Sequence, residues 1–209
     1  MQKQTNSKDL QPILNFEGEV YLLENYLPLE DYKKLFNALL KGESWQQMPI
    51  KLFGKTFLQP RLIRFFAEPG ISYSYSKTAL KPEEFPSQLA QLKKRIESDF
   101  QLRFNCCLGN LYRDGQDSMG LHADNELELG NNPAIASYSL GADRDFVLKH
   151  NTQPKQHKIK LKPNSLLLML GPTQHHWKHA LPKRKNVTEA RINLTFRYSH
   201  PKIAATKKG

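Results

Sequence analysis

The chain has 209 residues, of which 39% are hydrophobic and 24% charged, so the composition predicts one globular domain and excludes an intrinsically disordered chain. Its densest apolar run, Leu166 to Leu170, is too short to span a membrane, and the polar start of the chain is unlike a signal peptide. We therefore expect no membrane partner and a cytoplasmic location. In a bacterium we expect association with the nucleoid, and in a eukaryote a location in the nucleus.

The first half of the chain predicts one strand and two helices. Residues 1–15 are expected to form a flexible arm, and Val20 to Tyr26 alternates as a strand does. Apolar residues at helical spacing from Leu29 to Leu40 then predict a helix, and Gly42 is a natural stop signal just beyond it. A second helix is expected from Ser87, as a possible N-cap after Pro86, to Phe100.

The second half predicts short strands separated by Gly, Pro, Asn and Asp. The expected strands are Cys106–Tyr112, Ala134–Leu140, Asp145–His150, Lys158–Lys162, Leu166–Leu170, Trp177–Leu181 and Ile192–Tyr198. Two helices followed by such strands predict a mainly β fold with flanking helices (α+β), in which the N-terminal helices pack on one face of a jelly roll (double-stranded β-helix). The domain is expected to span 16–200, and the two cysteines are adjacent in one strand, where a disulfide would be strained.

The net charge of +11 arises from the last part of the chain, residues 149–209, which carries +13, whereas residues 1–148 sum to −2. Residues 149–209 contain 14 Lys or Arg and one acid, Glu189, and 201–209 form a basic tail. A basic half beside a near-neutral half indicates a polyanionic partner, most commonly nucleic acid. A solvated basic surface explains the charge equally well.

Two histidines and an aspartate are candidate metal ligands. His122 and Asp124 form His-x-Asp, and residues i and i+2 of a strand project from the same face. A third ligand, His179, comes from a later predicted strand. Two histidines and one carboxylate form the facial triad of non-haem iron(II) oxygenases, which leaves coordination positions open. Taken alone, His-x-Asp is explained better by a polar surface turn than by a metal site. The metal-site interpretation therefore depends on the other motifs in the chain.

The remaining histidines are weaker candidates. We interpret His175 and His176 as loop residues or contacts to a substrate phosphate, and His150, His157 and His200 as exposed positions.

The last predicted strand carries polar residues along one entire face. Arg191, Asn193, Thr195 and Arg197 share that face, and the apolar residues between them are expected to pack inward. Arginine binds carboxylates bidentately, so the two arginines could hold a dicarboxylic acid. A second polar pair at strand spacing is formed by Asn110 and Tyr112. Solvent-facing arginines remain the alternative.

The motifs, in this order, resemble the AlkB family of nucleic-acid dealkylating dioxygenases, and most of all its duplex-DNA repair members in animals. The resemblance extends from about Tyr21 to Arg197. It is carried by Asn110-x-Tyr112, His122-x-Asp124, His179-Ala-Leu-Pro and Arg191-x-Asn193-x-Thr195-Phe-Arg197, with further similarity at 53–55, 60–61, 133–137 and 144–147. The resemblance implies iron(II) held by His122, Asp124 and His179. It implies 2-oxoglutarate, used with O2, held by Asn110, Tyr112, Arg191, Asn193, Thr195 and Arg197.

The same resemblance implies a substrate-binding set and a nucleotide-recognition lid at about 45–80. The set comprises Phe53, Gly54, Arg61, Tyr73, Tyr75, Asn125 and Glu126. Phe53 would fill the gap left by a flipped base, and the two tyrosines would stack on that base. A carboxylate at Glu126 would favour cationic methylated bases. Ala123 and Asn125 depart from the residues expected in the duplex-repair members, which leaves the substrate range open.

The implied activity is oxidative demethylation of 1-methyladenine and 3-methylcytosine in DNA, with release of formaldehyde, succinate and CO2. The expected partner is alkylated, double-stranded DNA, and the protein is expected to be a monomer. One alternative is the same chemistry on RNA or single strands. Another is a nucleic-acid-binding jelly roll without catalysis, for which binding would depend on salt but not on iron.

Overall fold

The computed structural model describes residues 11–42, 44–52, 54–71, 74–75, 78–79 and 81–200. Within these residues the chain forms a sandwich of a seven-stranded and a four-stranded sheet, with two helices on the outside of the larger sheet. This is the predicted jelly roll with its helices on one face. Across the same ranges, no helix is long and apolar enough to cross a membrane.

The larger sheet has the strand order β1-β2-β13-β10-β15-β8-β5, and every pair in it is antiparallel. Its strands are β1 (Leu14–Asn15), β2 (Glu19–Leu23), β5 (Leu62–Ala67), β8 (Cys106–Tyr112), β10 (Ile135–Gly141), β13 (Ser165–Leu170) and β15 (Arg191–Arg197). The central strand β15 pairs along its full length with β8, which places Arg191 opposite Tyr112 and Asn193 opposite Asn110. The two polar motifs recognised in the sequence are therefore neighbours on one sheet.

The smaller sheet has the order β12-β11-β14-β9. Its strands are β9 (Met119–His122), β11 (Arg144–His150), β12 (Gln156–Leu161) and β14 (Trp177–Leu181). A single helical turn, α3 (Thr173–His176), leads directly into β14. Two two-stranded sheets lie between β2 and residue 87 in the chain, formed by β3 (Pro49–Leu52) with β4 (Lys55–Leu58) and by β6 (Ser74–Tyr75) with β7 (Thr78–Ala79).

Both long helices form because their apolar residues recur at helical spacing. Helix α1 (Leu29–Leu40) buries Leu35 and Leu39, and α2 (Ser87–Phe100) buries Leu89, Leu92 and Ile96. The bounds match the sequence prediction, but the expected N-cap of α2 is wrong. Pro86 occupies the N-cap position, and the Ser87 hydroxyl donates to the side chain of Gln88 instead of capping the helix.

Each face of the larger sheet is covered, which explains its almost uniformly buried strands. The outer face packs on both helices, with Leu194 and Phe196 of β15 in that cluster. The inner face packs on the smaller sheet through residues such as Leu167 and Trp177. A strand that is buried on both faces shows little alternation of apolar and polar residues in its sequence. The functional side chains lie on the inner face.

Both cysteines are free, buried thiols, Cys107 among the helices and Cys106 on the inner face, which agrees with the expectation of no disulfide between them. Other expectations need correction. Leu14 is buried in β1, so the ordered domain begins before residue 16. His150, expected to be exposed, is 3% exposed. Residues 1–10 and 201–209 lie outside the described residues, and the predicted lid lies partly outside them.

Candidate active site

The three candidate metal ligands meet where the strands β9 and β14 pair. His122 and His179 are register partners across these strands, and their ring centroids are 4.2 Å apart. Asp124 lies two residues beyond the end of β9. The two side chains converge as predicted. The expected reason, that both lie on one face of a single strand, is wrong because β9 ends at His122. One ligand atom from each of the three residues lies within 4.8 Å of the others.

Two contacts from distant parts of the chain hold Asp124. The Arg197 guanidinium donates to carboxylate atom Oδ2 from Nη2 at 2.8 Å and from Nε at 3.2 Å. The backbone N–H of Asp124 donates to Oε1 of Gln174 at 2.9 Å. The other carboxylate atom, Oδ1, lies 3.8 Å from Nε2 of His122. Arg197 thus engages one oxygen and leaves the second directed towards the histidines.

The electrostatics keep Asp124 and His179 in the forms that bind a metal cation. Burial alone would raise the pKa of Asp124, but Arg197, followed by His179 and His122, outweighs burial and lowers that pKa to about 2. Burial, together with the neighbouring His122, lowers the pKa of His179 to about 3. At neutral pH the site therefore contains a carboxylate and a neutral imidazole. Two imidazoles and one carboxylate fit iron(II) as a donor set.

Arg191 provides the clearest sign of an anionic ligand. Its guanidinium is 1% exposed, and Nη2 donates to the Ser139 hydroxyl at 2.9 Å. Nε and Nη1 are buried, and among the described residues neither has a hydrogen-bond partner. Burial lowers the pKa of Arg191 to about 10, with Tyr112 opposing this effect and Arg144 adding to it. A buried cation with two unused donors is costly unless an anion completes it, so the residues present fit the carboxylate of 2-oxoglutarate.

A chain of hydrogen bonds orders the polar face of β15 against β10. The Asn193 amide donates to the Ser137 hydroxyl at 2.8 Å, and the Thr195 hydroxyl donates to Asn193 Oδ1 at 2.9 Å. Ser137 and Ser139 were missed by the sequence reasoning. Their i, i+2 spacing in an otherwise apolar strand was the available signal.

All nine residues predicted to bind iron or 2-oxoglutarate line one pocket. Its empty volume is about 540 Å³, which includes space open to solvent. Apolar side chains complete the walls, and Phe146 stacks on the ring of His179 at a centroid distance of 5.3 Å. The other apolar lining residues are Leu108, Met119, Leu161, Met169, Ala180 and Leu181, which sequence reasoning also missed because a core residue and a pocket wall have the same pattern.

The predicted substrate-binding residues have different positions. Arg61 is 3% exposed and donates from Nε to Asn110 Oδ1 at 2.8 Å, so it lies behind the pocket wall and not on the surface. Gly54 forms the turn of the β3–β4 hairpin at φ +76°, which glycine tolerates. Asn125 is exposed, and Glu126 is half-buried, immediately after the candidate metal ligand Asp124. Phe53 and Tyr73, together with the side chain of Tyr75, lie outside the described residues.

A second group of ligand-type side chains lies at the turn between β1 and β2. It contains Glu17, His150 and His176. Two backbone N–H groups, of Thr152 and Gln153, donate to Nδ1 of His150, so the imidazole proton lies on Nε2 and is donated to Glu17 at 2.7 Å. A metal at Nε2 would displace that proton and either leave an imidazolate or move the proton to Nδ1, where it would break both backbone hydrogen bonds. We therefore interpret this group as a structural link and not as a metal site.

The comparisons with known proteins agree with this geometry. Residues 19–197 match the model of the 2OG-Fe(II) oxygenase superfamily. The chain is 35% identical over 198 residues to the DNA oxidative demethylase ALKBH2 of Bos taurus, covering 85% of this chain and 70% of the relative. It is 35% identical over 194 residues to the alpha-ketoglutarate-dependent dioxygenase alkB homolog 3 of Bos taurus, covering 88% and 67%. It is 38% identical over 167 residues to the Mus musculus ALKBH2, covering 76% and 68%.

The solved structure of OsALKBH1 has the same fold. It superimposes with a TM-score of 0.64 at 16% sequence identity and covers 85% of this chain and 97% of its own. At that identity the likeness establishes the fold alone. With the family match and the sequence relatives, it follows that the chain belongs to the 2OG-Fe(II) oxygenase superfamily, and within it to the AlkB family of dioxygenases, which use iron(II), 2-oxoglutarate and O2.

Proposed function

We propose that this chain is an oxidative demethylase that repairs N-alkylated bases in DNA, with 1-methyladenine and 3-methylcytosine as substrates. The observation that carries the proposal is the single pocket in which His122, Asp124 and His179 lie beside a buried, incompletely paired Arg191. Relatives named as DNA oxidative demethylases favour DNA over RNA as the polymer. A non-catalytic binding module is not favoured, because such a module has no use for this buried triad.

Within this proposal, His122, Asp124 and His179 hold iron(II) and leave the remaining coordination positions open to co-substrates. When bound, iron(II) with 2-oxoglutarate and O2 supplies the oxidising power that hydroxylates the N-methyl carbon, after which the base releases formaldehyde and the co-substrate becomes succinate and CO2. The protein contributes binding, orientation and exclusion of water. Arg197 keeps Asp124 ionised and fixes which of its oxygens faces the histidines.

The polar face of β15 and its neighbours holds 2-oxoglutarate in this scheme. Arg191 binds one of its carboxylates through the unused Nε and Nη1 donors. Asn110, Tyr112, Asn193 and Thr195 complete the pocket around the co-substrate. Because the buried Arg61 donates to Asn110, its proposed role is to orient the Asn110 amide and not to contact DNA. Phe146 and the other apolar wall residues exclude water.

The proposed base specificity depends on residues at the pocket mouth. Asn125 and Glu126 directly follow the metal ligand Asp124, and a carboxylate at 126 stabilises a cationic base such as 1-methyladenine more than a neutral one. Tyr73 and Tyr75 are proposed to stack on the flipped base, at about 1–3 kcal/mol per stacked base. Gly54 lets the β3–β4 hairpin turn tightly beside Phe53, the proposed wedge in the duplex.

The proposal is tested with a duplex oligonucleotide that carries one 1-methyladenine. The purified protein is incubated with iron(II), ascorbate and 2-oxoglutarate, and mass spectrometry follows loss of the methyl group while succinate is measured in parallel. We expect matching amounts of demethylated base and succinate. Asp124→Ala should abolish both, whereas the matched control Asp143→Ala, whose carboxylate pairs with Lys160 on the surface, should retain both. Absence of both products from the wild-type protein would contradict the proposal.

The finer parts of the proposal concern strand state, assembly and location. We propose a preference for double-stranded DNA, for which Phe53→Ala should lower activity on duplex substrate but not on single strands. Equal losses on both would refute the wedge.

We also propose a monomer, to be checked by light scattering coupled to gel filtration. The proposed location is the cytoplasm, at the nucleoid or in the nucleus according to cell type, and a fluorescent fusion would show it.

A further inference from the structure

Asp124 is the one ligand of the proposed triad that lies outside a strand. His122 and His179 are positioned by the pairing of β9 and β14, whereas β9 ends at His122. Asp124 is nonetheless 1% exposed. Side-chain contacts therefore have to replace strand pairing as the means of positioning this carboxylate.

The backbone of Asp124 is fixed by a glutamine from another part of the chain. Gln174 is 1% exposed and lies 50 residues away in sequence, on α3, and its Oε1 accepts the Asp124 N–H at 2.9 Å. Its amide Nε2 faces the sulfur of Met169 at 3.6 Å, a weak acceptor. This leaves the glutamine carbonyl as the strong hydrogen-bonding atom and directs it at Asp124.

The helical turn that carries Gln174 is itself rigidly attached. The Thr173 hydroxyl accepts the backbone N–H of Glu19 at 2.9 Å, and the Trp177 indole donates to the Phe16 carbonyl at 2.9 Å. The turn before β2 packs so closely here that a Cβ on Gly18 would lie 2.9 Å from Thr173 Oγ1. The β1–β2 hairpin thus contacts α3 closely, and Gln174 acts as a fixed acceptor.

We propose that Gln174 is a positioning residue for the proposed metal centre, and that it acts through Asp124. Arg197 fixes one end of the residue by binding carboxylate Oδ2, and Gln174 fixes the other end by accepting the backbone N–H. With both ends held, the carboxylate cannot rotate its free Oδ1 away from His122. The inference rests on the proposed function only in so far as His122, Asp124 and His179 bind a metal.

Metal affinity, measured without 2-oxoglutarate or DNA, provides the test. Mn²⁺ would be titrated into the metal-free protein and the bound fraction followed by electron paramagnetic resonance. Gln174→Leu removes the acceptor at similar size, and we expect it to weaken Mn²⁺ binding roughly 10- to 100-fold, the range for residues that orient a metal ligand. Gln174→Glu keeps an acceptor oxygen and should restore most of the affinity. Asn151→Ala removes a different hydrogen bond to α3, to the His175 carbonyl, and should leave the affinity unchanged.

A double-mutant cycle separates positioning from a general structural effect. If Gln174 acts through the carboxylate, Gln174→Leu should weaken Mn²⁺ binding no further in an Asp124→Ala background. An equal loss in both backgrounds, or wild-type affinity in a folded Gln174→Leu protein, would overturn the inference while leaving the triad intact. Failure of the wild-type protein to bind Mn²⁺ would instead overturn the metal centre, and this inference with it. Circular dichroism establishes that each variant is folded.

Discussion

Replacing Arg191 with methionine should nearly abolish binding of 2-oxoglutarate without destabilising the protein. In the part of the chain that the structure describes, the guanidinium has one hydrogen-bond partner, Ser139, and its buried donor atoms Nε and Nη1 have none. Two hydrogen bonds to a carboxylate contribute about 1.5–3 kcal/mol each, so their loss amounts to about 3–6 kcal/mol. This corresponds to a decrease in affinity of roughly 10²- to 10⁴-fold. Removing a buried, undercompensated cation offsets the lost Ser139 bond, because such charges are costly to bury.

The affinity is measured by calorimetric titration of 2-oxoglutarate into protein loaded with Mn²⁺, which avoids turnover. The unfolding temperature is measured on the protein free of metal and co-substrate, where we expect the variant to equal or exceed the wild type. Arg103→Met, at an exposed position outside the pocket, is the matched control and should retain full affinity. If Arg191→Met binds 2-oxoglutarate as the wild type does, Arg191 does not hold the co-substrate and the interpretation of its unused donors is wrong.

Three further outcomes concern stability and reactivity. Burial lowers the pKa of His179 from 6.5 to about 3. Between these two pH values the imidazole is protonated in the unfolded chain but neutral in the folded, metal-free protein. Stability should therefore be retained above pH 6.5 and fall as the pH decreases below it in urea unfolding, and a His179→Gln variant that declines equally would contradict this. Burial raises the pKa of Cys106 to about 11, so iodoacetamide should not modify this thiol in the folded protein at neutral pH, and a mass increase there would refute the assignment. A Cβ at Gly115 would lie 1.6 Å from the Arg184 carbonyl oxygen, whereas one at Gly120 meets nothing within 4 Å. Gly115→Ala should cost about 1–3 kcal/mol of unfolding free energy and Gly120→Ala very little, and equal denaturation midpoints would show that the loop adapts.

The two arginines of β15 illustrate how identical residues acquire different tasks. In the sequence Arg191 and Arg197 are equivalent members of one polar face, and both were expected to hold a dicarboxylic acid. In the structure Arg197 donates to Asp124 at the metal site, and Arg191 keeps unused donors further along the strand. The difference arises because their partners come from other strands and loops. The residue spacing within β15 does not predict where those elements lie.

The sequence by itself predicted the architecture and the residues that line the candidate site. Helical spacing located α1 and α2, period-two alternation placed Arg191, Asn193, Thr195 and Arg197 on one face, and short strands with turn residues between them predicted a jelly roll. These features are local, because side-chain direction within a helix or strand follows from its backbone repeat. The AlkB resemblance rests on local motifs in the same way.

Only the tertiary structure decided how those motifs become a site. It brought Asp124 into the pocket through Gln174 and Arg197, placed Ser137 and Ser139 beside β15, and buried Arg61 behind Asn110. Each of these contacts joins residues that are between 49 and 73 positions apart in the chain. Such contacts depend on strand order and register, which are set by the packing of the whole sandwich and leave no periodic signal in the sequence.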